Sequence, residues 1–332
     1  MNNYLKSRIY QIDLILYCYT EMSQNTLSPY NLITVLGPTA SGKTRFAAIL
    51  ASRLNGEILS ADSRQVYRGM DIGTGKDYND YIVEGKRVTA HLLDIVEPGY
   101  EYNVFEYQAD FVRVFNEIVT RKKMPVLCGG SGLYLEAVLK GFRLINVPVD
   151  QHLRKSFENK PDEELTVLLK SWKPVHNITD LTSRKRLIRA LEIESYYRTH
   201  KDTRRDYPEL NPLITGILCN RDVRRDRIKA RLKERLENGM IEEVEQLIRK
   251  GVSYEKLIYY GLEYKYIARY IKGEITYNEM VTELNIAINQ FAKRQMTWFR
   301  RMERGGMKIH WIDTGFPDEV KVKLTIGWLN NP

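Results

Sequence analysis

The chain has 332 residues, enough for a large buried core and about two domains. Hydrophobic residues make up 43% and charged residues 28%, which excludes a disordered or membrane-embedded chain, and 51 Lys and Arg against 42 Asp and Glu give a formal charge of +9. That charge is compatible with a polyanionic partner without singling one out. Cys18, Cys128 and Cys219 lie far apart with no CxxC or Cys/His cluster, so neither a disulfide framework nor a structural zinc site is expected.

Residues 1–29 read as an N-terminal extension, or as residues upstream of the true start. The apolar stretch 14–19 follows Lys6 and Arg8 as in a signal peptide, but it is short, Asp13 abuts it, and no clean cleavage site follows. No apolar run reaches the roughly 20 residues that span a bilayer, so a cytoplasmic protein without a membrane partner is expected.

Leu32-Ile33-Thr34-Val35-Leu36 is short, apolar and β-branched, and predicts a buried parallel strand. A glycine-rich turn follows, then a helix over 44–54 with apolar spacing at Phe46, Ala47, Leu50 and Leu54. Residues 57–60 predict a second strand, 88–93 a third, 104–123 a helix and 125–128 another strand that ends at Gly129-Gly130-Ser131-Gly132. Near Pro148 the chain turns polar and helix-rich, with basic clusters at Arg184-Lys185-Arg186 and Arg204-Arg205, so 148–211 reads as a helical insertion. Residues 213–219 predict a strand that rejoins the sheet, and the rest is helical up to a last strand near 308–312. The fold class is therefore α/β, a P-loop NTPase-like doubly wound parallel sheet formed by 30–147 and 212–332, with a helical insertion and a helical C-terminal region.

Gly37-Pro38-Thr39-Ala40-Ser41-Gly42-Lys43-Thr44 fits G-x-x-x-x-G-K-[ST], between a predicted strand and a predicted helix. Glycines let backbone N–H groups curl around phosphate oxygens, the helix start adds a positive dipole end, Lys43 adds a charge, and Thr44 offers a hydroxyl to Mg²⁺. ATP, GTP or a small diphosphate would all fit this loop. Asp62 falls just past the second strand, on the side of the sheet where ligands bind. It is a candidate general base or magnesium ligand, or else the N-cap of a helix starting at Ser63.

The loop, together with Asp62-Ser63, Tyr67-Arg68-Gly69-Met70-Asp71-Ile72-Gly73-Thr74, His91-Leu92-Leu93-Asp94, Gly129-Gly130-Ser131-Gly132-Leu133-Tyr134, Arg189-Ala190-Leu191-Glu192 and Ala292-Lys293-Arg294-Gln295-Met296-Thr297-Trp298-Phe299-Arg300, resembles the bacterial tRNA dimethylallyltransferase family, in order from about residue 31 to 315. The resemblance implies a prenyltransferase. Its loop carries dimethylallyl diphosphate, and its acceptor is N6 of adenosine 37, flipped out of the anticodon loop of tRNAs that read UNN codons.

It further implies that Asp62 takes the N6 proton and that Thr39, Lys43, Thr44 and bound Mg²⁺ neutralise the leaving diphosphate. Ser63, Arg64, Gln65, Ser131, Arg154, Lys185, Arg186, Leu187, Ile188 and Arg189 match positions that contact or flank the tRNA. Arg227, Arg231 and Arg235 share one predicted helix face. Arg227 or Arg231 matches a diphosphate-holding arginine, and Arg235 is expected to be solvated.

The basic and aromatic stretch 292–304 is expected to pack through Trp298 and Phe299 and to turn some of Lys293, Arg294, Arg300 and Arg301 toward RNA. Ser131 stands where many members have Thr, and Gly261-Leu262-Glu263-Tyr264-Lys265 departs from a shorter Gly-Tyr-Lys/Arg form. A monomer is expected. The alternative is a P-loop small-molecule kinase using ATP, and a nucleic-acid binder with a vestigial loop is a further rival.

Overall fold

The computed structural model describes residues 28–142, 144–172, 181, 183–200 and 207–331. Residues 1–27, with Cys18 and most of the expected extension, and the 204–205 arginine pair lie outside the described residues. The described chain divides into two compact units, one running up to Gly141 and again from Pro208, the other spanning Phe142–Tyr207.

The larger unit is built on a six-stranded sheet. Its strands are β1 (Leu32–Leu36), β2 (Gly56–Ala61), β5 (Ala90–His91), β6 (Met124–Gly129), β7 (Pro212–Leu218) and β8 (His310–Asp313), in the order β5-β2-β6-β1-β7-β8. Every pairing is parallel. A separate two-stranded hairpin, β3 (Ile82–Val83) with β4 (Lys86–Arg87), precedes β5. Alternate residues of one strand serve opposite cores: Leu32 and Leu36 of β1 pack on one face, Ile33 and Val35 on the other. Burial on both faces is why these strands read as continuous apolar runs.

Helix α1 (Lys43–Arg53) covers one face through Phe46, Ala47 and Leu50. The other face carries α2 (Val104–Thr120) and α3 (Gly132–Leu139). The helical C-terminal region supplies α7 (Arg221–Glu237), α8 (Met240–Arg249), α9 (Tyr254–Tyr260), α10 (Leu262–Ile271), the 28-residue α11 (Tyr277–Arg304) and α12 (Asp318–Asn330). Helix α11 starts with a capping box, Thr276 against Glu279.

The smaller unit holds α4 (Gln151–Phe157), α5 (Asp162–Trp172) and α6 (Arg184–Thr199) around Phe157, Leu165, Leu169, Leu187 and Leu191.

The third strand is shorter than the sequence predicts. Only Ala90 and His91 pair with β2, because Leu92 and Asp94 adopt left-handed φ of 63° and 55° and turn the chain off the sheet edge. The helix predicted to reach 123 stops at Thr120, and Lys122 sits at φ 56°.

Candidate active site

The loop 37–44 joins β1 to α1, so its backbone N–H groups gather at the start of a helix. Gly42 takes a left-handed φ of 80° and Ala40 one of 61°. A Cβ on Gly37 would lie 2.7 Å from Ser41 Oγ, so the first turn closes only around glycine. Thr39, Ala40, Gly42, Lys43 and Thr44 line one cavity together with Asp62, Arg64, Arg231, Arg235 and Gln295. Thr39 and Ala40 also border a second, adjoining recess walled by Ile228, Leu232, Met240 and Ile288 and by the charged Arg231, Arg235 and Glu263.

Burial pulls the Lys43 ammonium below its ordinary range, with Cys128 and Asp62 opposing that shift. The Cys128 thiol in the cavity wall is pushed up to about 12 by burial, so it is no thiolate nucleophile.

Asp62 leaves the end of β2 and accepts the N–H of Arg64 at 3.0 Å through Oδ1. Residues 63–66 form turns rather than the helix for which Asp62 was the alternative N-cap. The Ser131 hydroxyl at the end of β6 accepts the Ser63 N–H at 3.0 Å, so the neighbouring ends of β2 and β6 are fastened beside Asp62. They approach so closely that a Cβ on Gly129 would fall 2.2 Å from the Ala61 carbonyl oxygen.

Arg64 pairs with Glu263 at 2.7 Å and lies over the Phe291 ring, 5.6 Å from its centroid. Glu263 belongs to the unusual 261–265 segment. The Gln65 side chain turns inward, taking the Ser60 hydroxyl at 3.2 Å and donating to Gly75 O at 3.0 Å.

Of the three α7 arginines, Arg231 lines the cavity and pairs with Asp77 at 2.6 Å. Arg227 lies outside the cavity wall but donates to the Thr314 hydroxyl at 3.0 Å, and that hydroxyl donates to Ser41 O in the loop. The expectation of a solvated Arg235 is corrected: its side chain is only 13% exposed and lines the cavity. Helix α7 turns Arg231 and Arg235 inward together because they are one turn apart.

Two further residues complete the site. Gln295 bridges Thr39 N–H and Gly130 O; it lies within the 292–300 stretch that carries the resemblance, where the sequence reading gives it no role. Glu243 accepts the N–H groups of Asp71, Ile72 and Gly73 at 2.8, 2.7 and 3.1 Å, and the Tyr264 hydroxyl at 2.7 Å, so it holds the 71–73 turn in place. Nothing in the local sequence around Glu243, one of several acidic residues on an ordinary helix pattern, signals this role.

On α11, Phe299 is fully buried, while Trp298 packs against Gly132 under the Arg301 guanidinium. Arg301 also pairs with Glu136, and Lys293, Arg294 and Arg300 are exposed.

Within the smaller unit, Arg154 holds the buried Glu192 with bonds of 2.6 and 2.9 Å, and Arg189 reaches the same carboxylate at 3.1 Å. Lys185 and Arg186 are exposed, Ile188 is half-buried, and the Leu187 side chain faces the core of the unit.

Among the described residues no group of three His, Cys, Asp or Glu side chains is placed to hold a metal, and no helix is long and apolar enough to cross a membrane.

Residues 65–302 match the IPP transferase family. The chain is 56% identical over 305 residues to tRNA dimethylallyltransferase 1 of Parabacteroides distasonis, covering 92% of this chain and 99% of that one. It is 57% identical over 299 residues to tRNA dimethylallyltransferase 2 of Bacteroides fragilis, covering 90% and 97%. The crystal structure of the full-length tRNA isopentenylpyrophosphate transferase of Bacillus halodurans superposes with a TM-score of 0.65 at 31% identity, over 90% of this chain and 97% of that one. These relatives lend no support to the kinase alternative. The chain belongs to the IPP transferase family, among the tRNA dimethylallyltransferases.

Proposed function

We propose that the enzyme transfers the dimethylallyl group of dimethylallyl diphosphate to N6 of adenosine 37 in tRNAs that read UNN codons, releasing diphosphate. The observation that carries this reading is the recess beside the loop 37–44, where Ile228, Leu232, Met240 and Ile288 stand with Arg231, Arg235 and Glu263 next to Thr39 and Ala40. A diphosphate on the loop would leave its short branched hydrocarbon beside those four apolar side chains.

In this reading the bond from C1 to the diphosphate oxygen breaks as the bond to N6 forms. The N6 proton passes to Asp62, whose carboxylate is already oriented by the Arg64 N–H. Lys43 and Arg231 stabilise the charge that grows on the leaving group, and Thr39 is positioned beside it by Gln295.

The residues present suit magnesium. Thr44 and the Asp80 carboxylate share the cavity wall, a sparse oxygen set that Mg²⁺ would complete with substrate oxygens and water. Bound there, the ion would offset charge on the diphosphate. The smaller unit, with Arg154, Lys185, Arg186 and Arg189, would meet the anticodon arm, along with Ser63, Arg64, Gln65 and Ser131. A cytoplasmic monomer is in keeping with this reaction.

The test is to incubate the purified protein with Mg²⁺, dimethylallyl diphosphate and an anticodon stem-loop containing A37, and to weigh the RNA. One dimethylallyl group gained on that adenosine is the expected result. No gain, with ATP turned over on a small acceptor, would sink the reading.

A further inference from the structure

Arg235 has no role in the scheme above, yet its surroundings call for a ligand. It lies in the wall of both the loop cavity and the adjoining recess. Burial, and then the neighbouring Arg231, pull its pKa below the ordinary arginine value. Its Nη2 is buried and makes no hydrogen bond.

The carboxylates that face it are already engaged. Asp77 Oδ1 is 3.5 Å away while Asp77 pairs with Arg231 at 2.6 Å, and Glu263 is paired with Arg64 at 2.7 Å. Both guanidiniums crowd one backbone point, since a Cβ on Gly75 would fall 2.1 Å from Arg235 Nη2 and 2.5 Å from Arg231 Nη2. Arg231 and Arg235 thus share the half-exposed Asp77, with Asp62 and Asp80 elsewhere in the same wall, and the buried Nη2 of Arg235 is left as a donor that an anionic oxygen in the cavity would complete.

We propose that Arg235 is a second diphosphate-binding guanidinium, donating through Nη2 to an oxygen of the group carried on the loop 37–44. The proposal rests on the prenyl-diphosphate reading and adds a residue to it. Two forks side by side grip a diphosphate from a fixed direction, which a flexible ammonium does not. Gly75 then has a functional reason: a side chain there would push both forks out of the cavity.

The experiment is calorimetric titration of inorganic diphosphate, with Mg²⁺, into the full chain and into Arg235→Met and Arg235→Lys, with anticodon stem-loop binding measured in parallel. The expected result is a loss of tenfold or more in diphosphate affinity for Arg235→Met, a partial loss for Arg235→Lys, unchanged RNA affinity, and a matching rise in KM for dimethylallyl diphosphate. Diphosphate affinity within twofold of wild type in Arg235→Met overturns the proposal while the donor reading stands. Equal losses of diphosphate and RNA affinity in both variants also overturn it, by making Arg235 a packing residue. If the wild-type chain binds neither inorganic diphosphate nor dimethylallyl diphosphate, the donor reading falls and the proposal falls with it.

Discussion

The side-chain oxygen of Gln295 accepts the backbone N–H of Thr39 at 2.8 Å, and the nitrogen of the same amide donates to Gly130 O at 3.0 Å. One side chain from α11 thus fixes the loop 37–44 against the end of β6. Gln295→Leu keeps the volume but leaves two polar groups unpaired, each costing about 1–3 kcal/mol. A lower melting temperature and at least a tenfold slower transfer are expected. Gln295→Glu keeps the acceptor for Thr39 and should fall between. Single-turnover rates on folded protein check the order, and equal activity in all three would remove Gln295 from the site.

Asp62→Asn retains an oxygen for the Arg64 N–H, so the turn at 62–64 should survive. It removes the proposed base, and transfer should drop by about 10²–10⁴ while stem-loop binding is unchanged. Filter-binding and transfer assays on one preparation separate the two. Substantial remaining turnover would take Asp62 out of the chemistry.

Lys43→Met should weaken dimethylallyl diphosphate binding at least tenfold and leave RNA binding intact. Because burial lowers the Lys43 pKa, its charge in the free enzyme is lost at a lower pH than in an exposed lysine. The alkaline fall of kcat/KM should accordingly begin early and be absent from Lys43→Met. A pH series on both proteins tests this.

Glu57 sits at the far end of β2, 4% exposed, and receives His91, Arg121 and Lys123 at 2.6, 2.7 and 2.8 Å. Burial alone would raise its carboxyl, but these three hydrogen bonds outweigh burial and hold it at about 2, against an ordinary 4.5. A depressed carboxyl stabilises the fold above its unfolded pKa and ceases to do so as pH falls. Glu57→Gln should therefore be less stable than wild type by about 2–3 kcal/mol at neutral pH, and the gap should close between pH 4.5 and 2. Urea titrations across that range read it; a gap independent of pH would contradict the ion cluster.

Glu243→Ala strips three backbone N–H groups and the Tyr264 hydroxyl of their shared acceptor. A loss of about 2–4 kcal/mol is expected, with the 71–75 turn loosened. Amide exchange at residues 71–75 should rise well before that of β1, and unchanged protection there would refute the role.

Much of the fold is legible because it is periodic. β1, β6 and β7 announce themselves as short apolar runs, and the loop 37–44 by its glycines and Lys43-Thr44. The edge strand misleads because its end is set by two residues in left-handed conformations, Leu92 and Asp94, which no apolar pattern reports. The site is only half legible for a related reason. Lys43, Thr44 and Asp62 sit in local motifs, whereas Gln295, Glu243, Glu263 and Arg235 act through contacts with chain elements 160 to 260 residues away or across a helix face. A helical stripe tells that Arg235 and Arg231 share a face, but not that the face looks into a cavity.

The bond between Thr39 and Gln295 spans 256 residues. During synthesis the loop that begins the domain is complete after residue 44, yet its amide gains a partner only when nearly nine-tenths of the chain has left the ribosome. Translation therefore yields no half-formed enzyme with a finished donor site, and a chain cut short before α11 would carry the phosphate motif without the brace that orders it.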